Sequence, residues 1–178
     1  MRVLTAPLNK KDIAGLKAGE LVFLSGNVYT ARDQAHARLA SLIKKKKRLP
    51  LDLKDRIIYY CGPTPAPEGE VIGACGPTTS ARMDAFAGPL LRKGLAAMIG
   101  KGRRTEAVRR LIKRHKAVYL LAPSGCGAYI ATKVRKRKPL AFADLGPEAI
   151  VELKVERLPL IVGIDSRGRD IYGRLADL

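Results

Sequence analysis

The sequence is poor in aromatic residues, and it contains neither tryptophan nor a long apolar run. Aromatic residues make up 5% of the 178 positions. Proteins that bind single-stranded nucleic acid usually stack bases on several aromatic side chains, so this composition argues against that class. No apolar run approaches the roughly 20 residues of a membrane-spanning helix. The first twelve residues also lack the apolar core of a signal peptide, so we expect a cytoplasmic protein outside the membrane.

Cysteine is scarce, and the three cysteines are Cys61, Cys75 and Cys126. Their spacing matches neither the CxxC pairs of a zinc ribbon nor the compact runs that bind iron–sulfur clusters. Small thiols are common among buried residues at strand ends. We therefore interpret all three as structural cysteines and predict no metal site within this chain.

Acidic residues are also few, because 16 Asp and Glu stand against 34 Lys and Arg, for a formal net charge of +18. Three short basic runs concentrate this charge at residues 44–48, 101–116 and 133–138. Such a field attracts anions of any kind, including nucleic acid. A nucleic-acid-binding protein is thus one function class to weigh, although no recognised binding motif is present. A structural or interaction module is another.

Strand-like and helix-like segments alternate along the chain, and no linker or repeat divides it. This alternation is typical of an α/β domain, and we predict a single domain over residues 1–178. Strands are predicted at residues 20–30, 56–62, 70–76, 95–100, 117–123, 138–144, 149–159 and 160–165. Helices are predicted at residues 32–47, 80–93, 105–116 and 127–134.

Local signals predict how two of these helices begin and end. Thr30 and Asp33 have the spacing of a capping box, with Asp in place of Glu. Gly94 is predicted to end the helix at residues 80–93, because glycine readily adopts the conformation that follows a helix. Pro89 is expected to kink this helix or to divide it in two.

The segment GNVYTARDQAH (26–36) places Arg32 at the start of a predicted helix and His36 one turn later. A helix N-terminus offers unpaired N–H groups, and an arginine there adds a planar fork that can bind a carboxylate. The alternative is that Arg32 is only a surface residue. We interpret His36 as a structural histidine.

The segment GPTTSARMD (76–84) repeats this arrangement of a strand, a tight turn and a helix start. Thr78 and Thr79 stand where caps are favoured, but a single cap needs only one hydroxyl. Arg82 lies four residues after Thr78, so it can point back to the same opening. Lys101, in MIGKG (98–102), lies between two glycines that let a ligand approach closely.

Two arginines, two hydroxyls and one lysine suit a small substrate with two carboxylates better than a long polyanion. The sequence shows no Ser-His-Asp order, no paired acids in a known context and no phosphate-binding loop. A threonine hydroxyl is also a poor acid or base unless a cation or metal lies nearby. The residues of this chain therefore look like part of an active site rather than a complete one.

Four motifs occur in a characteristic order: SGNVYTARDQAH (25–36), GPTTSARMD (76–84), MIGKG (98–102) and AFADLGPEAI (141–150). In this order they resemble the signatures of the β subunit of iron–sulfur fumarases and L-tartrate dehydratases. The resemblance extends from about Val3 to Tyr172. It implies a three-layer β/β/α swivelling domain, and it implies a partner α subunit that holds a [4Fe-4S] cluster with its own cysteines.

The resemblance also assigns roles to individual residues. Arg32 and Arg82 are expected to bind the substrate carboxylates, and Lys101 is expected to complete the pocket. Thr78 is expected to be the catalytic base, and Thr79 is left to cap the helix. A carboxylate of the partner is the alternative proton acceptor.

The expected reaction is the reversible hydration of fumarate to (S)-malate, with little or no activity for this chain alone. L(+)-Tartrate dehydratase is the alternative, because both substrates are four-carbon dicarboxylates. A homo-oligomer is the other assembly considered for the isolated chain. Two positions depart from the family pattern: Cys126 stands where a glycine is usual, and Pro147 replaces a usual methionine.

Overall fold

The computed structural model describes residues 2–174. These residues form seven strands: β1 (Arg2–Thr5), β2 (Leu21–Thr30), β3 (Ile57–Tyr59), β4 (Ala97–Gly100), β5 (Val118–Leu121), β6 (Val134–Ala141) and β7 (Ile150–Ile164). They also form six α-helices: α1 (Lys10–Ala14), α2 (Asp33–Lys44), α3 (Asp84–Arg92), α4 (Glu106–His115), α5 (Gly127–Ala131) and α6 (Ile171–Arg174). In this described range, no helix is long and apolar enough to cross a membrane.

The strands form one mixed sheet in which part of the sheet closes on itself. Strands β1 to β5 lie side by side and parallel, in chain order. The long strand β7 runs antiparallel to both β5 and β2, so β2, β3, β4, β5 and β7 form a closed ring. Strand β6 pairs with β7 outside this ring.

The central strands separate two hydrophobic cores, because successive side chains of a strand point to opposite faces. Ile57 and Tyr59 of β3 lie in the core enclosed by the strands, whereas Ile58 and the next residue after β3, Tyr60, lie in the core beneath the helices. The second core also contains residues of α2, α3 and α4. Helices, parallel strands and the antiparallel strand β7 thus form three layers, and the predicted α/β class is confirmed.

The helices differ in how their ends are stabilised. Helix α4 begins at a true cap, because the side chain of Thr105 accepts a hydrogen bond from the backbone N–H of Val108. It ends at Lys116, whose backbone is left-handed with φ of 53°. Helix α3 is followed by Gly94 with φ of 90°, as the sequence predicts. Helix α3 continues through Pro89 undivided.

Four predicted segments differ from the structure. Residues 70–76 form no strand, and Cys75 instead donates its backbone N–H to the carbonyl of Gly127 at 3.1 Å. The two strands predicted within residues 149–165 are one strand, β7, which stays paired although Arg157 has a φ of 48°. The helix predicted over residues 80–93 is a 3₁₀ helix at Ser80–Met83 followed by α3.

The predicted capping box at Thr30 is wrong. Thr30 lies inside β2, and its hydroxyl donates to the carbonyl of Ala149 at 3.2 Å and accepts from the backbone N–H of Val151 at 3.0 Å. The first turn of α2 is capped from a distant segment instead. The carboxylate of Glu148 accepts a hydrogen bond from the backbone N–H of Gln34 at 2.8 Å.

Candidate functional site

The predicted site residues lie at one edge of the sheet, where β2, β3 and β4 end. Thr78 is held against the end of β3, because its backbone N–H donates to the carbonyl of Tyr60 at 2.6 Å. Lys101 follows β4 directly, and its N–H donates to the carbonyl of Thr78 at 3.3 Å. The carbonyl of Lys101 in turn accepts from the N–H of Ser80 at 2.9 Å. Thr78 and Lys101 are therefore brought together by backbone pairing, as short strand-like neighbours.

Arg32 reaches the same edge from the end of β2. The backbone N–H of Ala31 donates to the carbonyl of Tyr59 at 3.1 Å, which places Arg32 beside the residues that follow β3. There its side chain packs against Gly62. A Cβ at this glycine would lie 3.0 Å from both Cδ and Nη1 of Arg32. The absence of a side chain at position 62 thus makes room for the arginine.

The guanidinium groups of Arg32 and Arg82 meet at the carboxylate of Asp33. Nε of Arg82 lies 2.9 Å from Oδ1 of Asp33, and Nη2 of Arg32 lies 3.7 Å from Oδ2. Within the described residues, Nε of Arg32 and Oδ2 of Asp33 are buried without a hydrogen-bond partner. This arrangement brings Arg32 and Arg82 together around one carboxylate, and it retains unused bonding capacity beside it.

Asp33 was missed as a site residue by sequence reasoning, which treated it as part of a cap. The reason is that its carboxylate faces Arg82, which lies 49 residues along the chain. An aspartate at a helix start has the same local sequence whether its carboxylate caps the helix or pairs with arginines. The helix start itself was correctly located, because Asp33 is the first residue of α2.

A buried arginine supports the segment that carries Lys101. Nε of Arg104 lies 2.6 Å from Oδ1 of Asp84, and the side chain of Arg104 is fully buried. Its guanidinium lies 5.4 Å from the ring centre of Tyr60 and 5.1 Å from that of Tyr119. Asp84 also accepts from the backbone N–H of Thr105 at 2.8 Å. The basic run gave no signal for this role, since nothing local separates Arg104 from its charged neighbours.

A second set of polar contacts fixes the turn after β4. Tyr119 donates its hydroxyl hydrogen to the carbonyl of Gly102 at 2.9 Å, since a carbonyl can only accept. The hydroxyl of Ser80 then donates to the oxygen of Tyr119 at 2.8 Å. Burial raises the pKa of Tyr119, so its hydroxyl stays protonated and available for this bond. Gly100 permits the close approach, because a Cβ there would lie 2.0 Å from Oγ of Ser80.

His36 lies behind the arginines as a structural residue. It is buried, and its Nδ1 lies 2.8 Å from the carbonyl oxygen of Arg32. Burial lowers the pKa of His36 to about 4. The ring is therefore neutral at pH 7 and donates its Nδ1–H to that carbonyl, which anchors the backbone of Arg32 at the start of α2.

The cysteines are free thiols, and Cys61 and Cys75 are fully buried. A hydrogen bond with Cys75, together with burial, raises the pKa of Cys61, so this sulfur remains protonated. Across residues 2–174, no three His, Cys, Asp or Glu side chains are grouped so that they could hold a metal ion. The described residues thus provide no ligand set for an iron–sulfur cluster.

The two departures from the family pattern lie beside the site. The backbone of Gly127, next to Cys126, packs against Gly76 in the turn that leads to Thr78. The carbonyl oxygen of Pro147 would lie 3.2 Å from a Cβ at Gly62, which places it near Arg32. Both positions therefore lie in segments that border the predicted site residues, Cys126 just before α5 and Pro147 within a 3₁₀ helix at Ala143–Glu148.

Comparison with known proteins identifies the family. The model of the family described as "Fumarase C-terminus" matches residues 2–175. "Putative L(+)-tartrate dehydratase subunit beta" of Methanocaldococcus jannaschii is 40% identical over 171 residues, which cover 93% of this chain and 88% of that protein. The L(+)-tartrate dehydratase subunit beta of Escherichia coli (strain K12) is 31% identical over 96% of this chain and 86% of its own length.

A longer relative matches the same region. Fumarate hydratase 2 of Leishmania major is 33% identical over 175 residues, which cover 96% of this chain but only 31% of that protein. The chain thus corresponds to about a third of this relative and to most of the two beta subunits. These matches confirm the resemblance inferred from the four motifs, and the chain belongs to the Fumarase C-terminus family.

Proposed function

We propose that this chain is the β subunit of a hydro-lyase that reversibly hydrates fumarate to (S)-malate. The observation that carries the proposal is the convergence of Arg32 and Arg82 on one carboxylate, that of Asp33. Two guanidinium groups around a carboxylate form the kind of planar, charged contact that holds a dicarboxylate in one orientation. In the reacting complex, a substrate carboxylate takes part of the donor capacity that Asp33 now occupies.

Thr78 and Lys101 complete the proposed site. Hydration adds water to one carbon and a proton to the other, so a group at the second carbon must exchange a proton. We assign this role to the hydroxyl of Thr78, which is partly exposed at the sheet edge. A threonine hydroxyl needs nearby positive charge to lower its pKa, and Lys101 is paired with Thr78 through the backbone. The alternative proton acceptor is a carboxylate of the partner.

The proposal requires a second chain. Two relatives that match this chain over most of their length are named beta subunits, which supports a heteromer with an α subunit. The described residues do not form a cluster site, so the [4Fe-4S] cluster implied by the family is assigned to that partner. Such a cluster supplies a Lewis acid to the substrate, while the residues of this chain bind and orient its carboxylates.

L(+)-Tartrate dehydratase is the second candidate. It is favoured by the names of the two beta subunits that share 86% and 88% of their length with this chain. Both reactions need two bound carboxylates and a proton-exchanging group, so the residues described above serve either one. The purified complex with its α subunit should be assayed on both substrates, and the larger kcat/KM identifies the reaction.

The test of the site uses three variants in that complex. Arg82→Lys keeps the charge but loses the planar fork, and we expect a fall in turnover of about one to two powers of ten. Thr78→Val should lower kcat more than it raises KM, because the hydroxyl acts in the transition state. Arg38→Lys is the matched control, since Arg38 pairs with Asp144 on the surface. If Arg82→Lys and Thr78→Val both kept wild-type rates, these residues would not belong to the active site.

A further inference from the structure

Part of the basic run at residues 101–116 lines a surface cavity that has no role in the proposed reaction. A cavity of about 330 Å³ lies between α4 and the turn that follows β7. Its charged lining consists of five cations and one carboxylate: Arg109, Arg110, Lys113, Arg167, Arg169 and Glu106. We call this the basic cavity.

The basic cavity lies away from the candidate active site. The turn after β7 follows Ile164, which pairs with Tyr119 in the first half of β5. The candidate active site lies instead where the parallel strands β2, β3 and β4 end. The lining of the basic cavity includes none of the residues proposed for the active site, so an anion in the cavity would not compete for Arg32 or Arg82.

The turn that forms one wall of the basic cavity is firmly held. Asp165 is fully buried and accepts hydrogen bonds from the backbone N–H groups of Arg167 at 2.9 Å and Arg169 at 3.1 Å. The carbonyl of Gly168 accepts from Nη1 of Arg109 at 3.3 Å, which ties the turn to α4. The two elements that form the cavity are thus connected to each other, and they carry the exposed side chains of Arg110, Lys113 and Arg167.

The charges of the basic cavity are only partly compensated. Arg109 pairs with Glu106 at 2.6 Å, and Arg169 pairs with Asp165 at 2.7 Å. Within residues 2–174, no ion pair is formed by the three other cations that line the cavity: Arg110, Lys113 and Arg167. Cations held close together repel one another, and a bound anion relieves that repulsion.

We propose that the basic cavity binds a compact anion carrying two or three phosphates. Arginine forks match phosphate oxygens in pairs, and a phosphate chain carries enough negative charge to neutralise several cations at once. The small, concave shape suits the end of such a chain. A duplex would instead require an extended basic groove to contact many phosphates.

The test measures, by titration calorimetry at physiological salt, the affinity of the full chain for inorganic triphosphate and for ATP. The triple variant Arg110→Ala/Lys113→Ala/Arg167→Ala should bind at least about tenfold more weakly, since three charge-assisted contacts are lost. The control Lys45→Ala/Lys47→Ala/Arg48→Ala removes the same charge from the run at residues 44–48 and should bind like the wild type. Thermal melting of each variant establishes that it is folded.

Each outcome separates the proposal from its alternatives. Equal affinity for triphosphate and ATP supports recognition of the phosphate chain itself, whereas tighter ATP binding supports a nucleotide as the source of that chain. Equal losses in the cavity variant and in the control would overturn the proposal in favour of diffuse charge. It would also be overturned by a lack of binding at physiological salt, or by a cavity-dependent preference for duplex DNA over triphosphate.

Discussion

At the scale of the residue, His36 couples the stability of the protein to pH. Its pKa is about 4 in the folded state, where burial disfavours the charged ring, whereas the ordinary pKa of an exposed histidine is 6.5. The unfolded chain therefore binds a proton as pH falls below 6.5, while the folded chain does so only near 4. Stability from this group is complete above pH 6.5 and is lost as the pH falls towards 4.

We predict that His36→Asn removes much of this pH dependence, because asparagine can donate to the carbonyl of Arg32 without gaining charge. The wild type should lose roughly 3 kcal/mol of unfolding free energy between pH 6.5 and 4 from His36 alone. Denaturant unfolding at several pH values measures this loss. The matched control is His115→Asn at the more exposed second histidine, and a similar flattening of the pH profile in that variant would contradict the prediction.

Thr79 and Thr105 show why a hydroxyl at a helix start is not always a cap. Thr79 precedes the 3₁₀ helix at Ser80–Met83, yet its side chain makes no capping hydrogen bond. The expectation that Thr79 caps this helix is therefore wrong. Its backbone instead forms a bridge with Lys101, and this pairing sets the local conformation. Thr105 is a true cap, because its side chain accepts from the N–H of Val108.

We predict that Thr79→Val leaves the melting temperature close to that of the wild type. Valine has a similar shape, and the lost hydroxyl served no cap. Thr105→Val should lower stability by about 1 kcal/mol, because one backbone N–H of α4 loses its partner. Thermal unfolding of both variants makes the comparison, and a larger loss in Thr79→Val than in Thr105→Val would restore a capping role to Thr79.

At the scale of the element, one buried ion pair joins the start of α3 to the segment between β4 and α4. Asp84 is the first residue of α3, and Arg104 lies just before the cap of α4. The pair is enclosed by the rings of Tyr60 and Tyr119. Removing one partner leaves the other charge buried and unpaired. This costs more unfolding free energy than the intact pair contributes.

We predict that Asp84→Asn destabilises the protein by about 3–5 kcal/mol, because Arg104 is left buried and unpaired. The double change Asp84→Leu/Arg104→Met should recover part of this loss, since no charge remains to be desolvated. Arg135→Met, which breaks the exposed pair with Glu156, is the control and should leave the melting temperature nearly unchanged. Additive losses in the double variant would show that the two buried charges do not depend on each other.

At the scale of the whole molecule, residues 2–174 present the proposed binding groups at an edge of the sheet, and they contain no group of His, Cys, Asp or Glu side chains that could hold a metal ion. Arg32, Arg82, Thr78 and Lys101 lie at this edge, while Cys61 and Cys75 are buried as thiols. Because both side chains are fully buried, this thiol pair is closed to a ligand from solvent. The reaction proposed here thus divides its parts between two chains.

We predict that anaerobic incubation of the isolated chain with iron and sulfide yields no stoichiometric cluster. The expected absorbance spectrum lacks the broad visible bands of thiolate-bound iron, because the three cysteines do not form a ligand group. Iron analysis after desalting provides a second readout, and the α subunit treated in the same way is the positive control. A stable cluster on the lone chain would contradict the division between subunits.

Much of the fold was predictable because its signals are local. Short continuous apolar runs marked β3, β4 and β5, and the helical periodicity marked α2 and α4. The strand predicted at residues 70–76 does not form, because this apolar segment packs as an extended loop. That loop finds its partners in residues such as Gly127 rather than in a neighbouring strand.

The sequence by itself determined which residues stand at the turns that leave the strands, because strand ends and glycine turns are encoded within a few positions. Arg32 and Lys101 were located in this way. The structure places Thr78 with them at one sheet edge, although the strand predicted before Thr78 does not form. Only the tertiary structure decided which groups face one another there. Asp33 meets Arg82 from 49 residues away, and Glu148 caps α2 from 114 residues beyond Gln34. Such contacts depend on how the closed ring of strands brings remote segments together, and no local pattern records that closure.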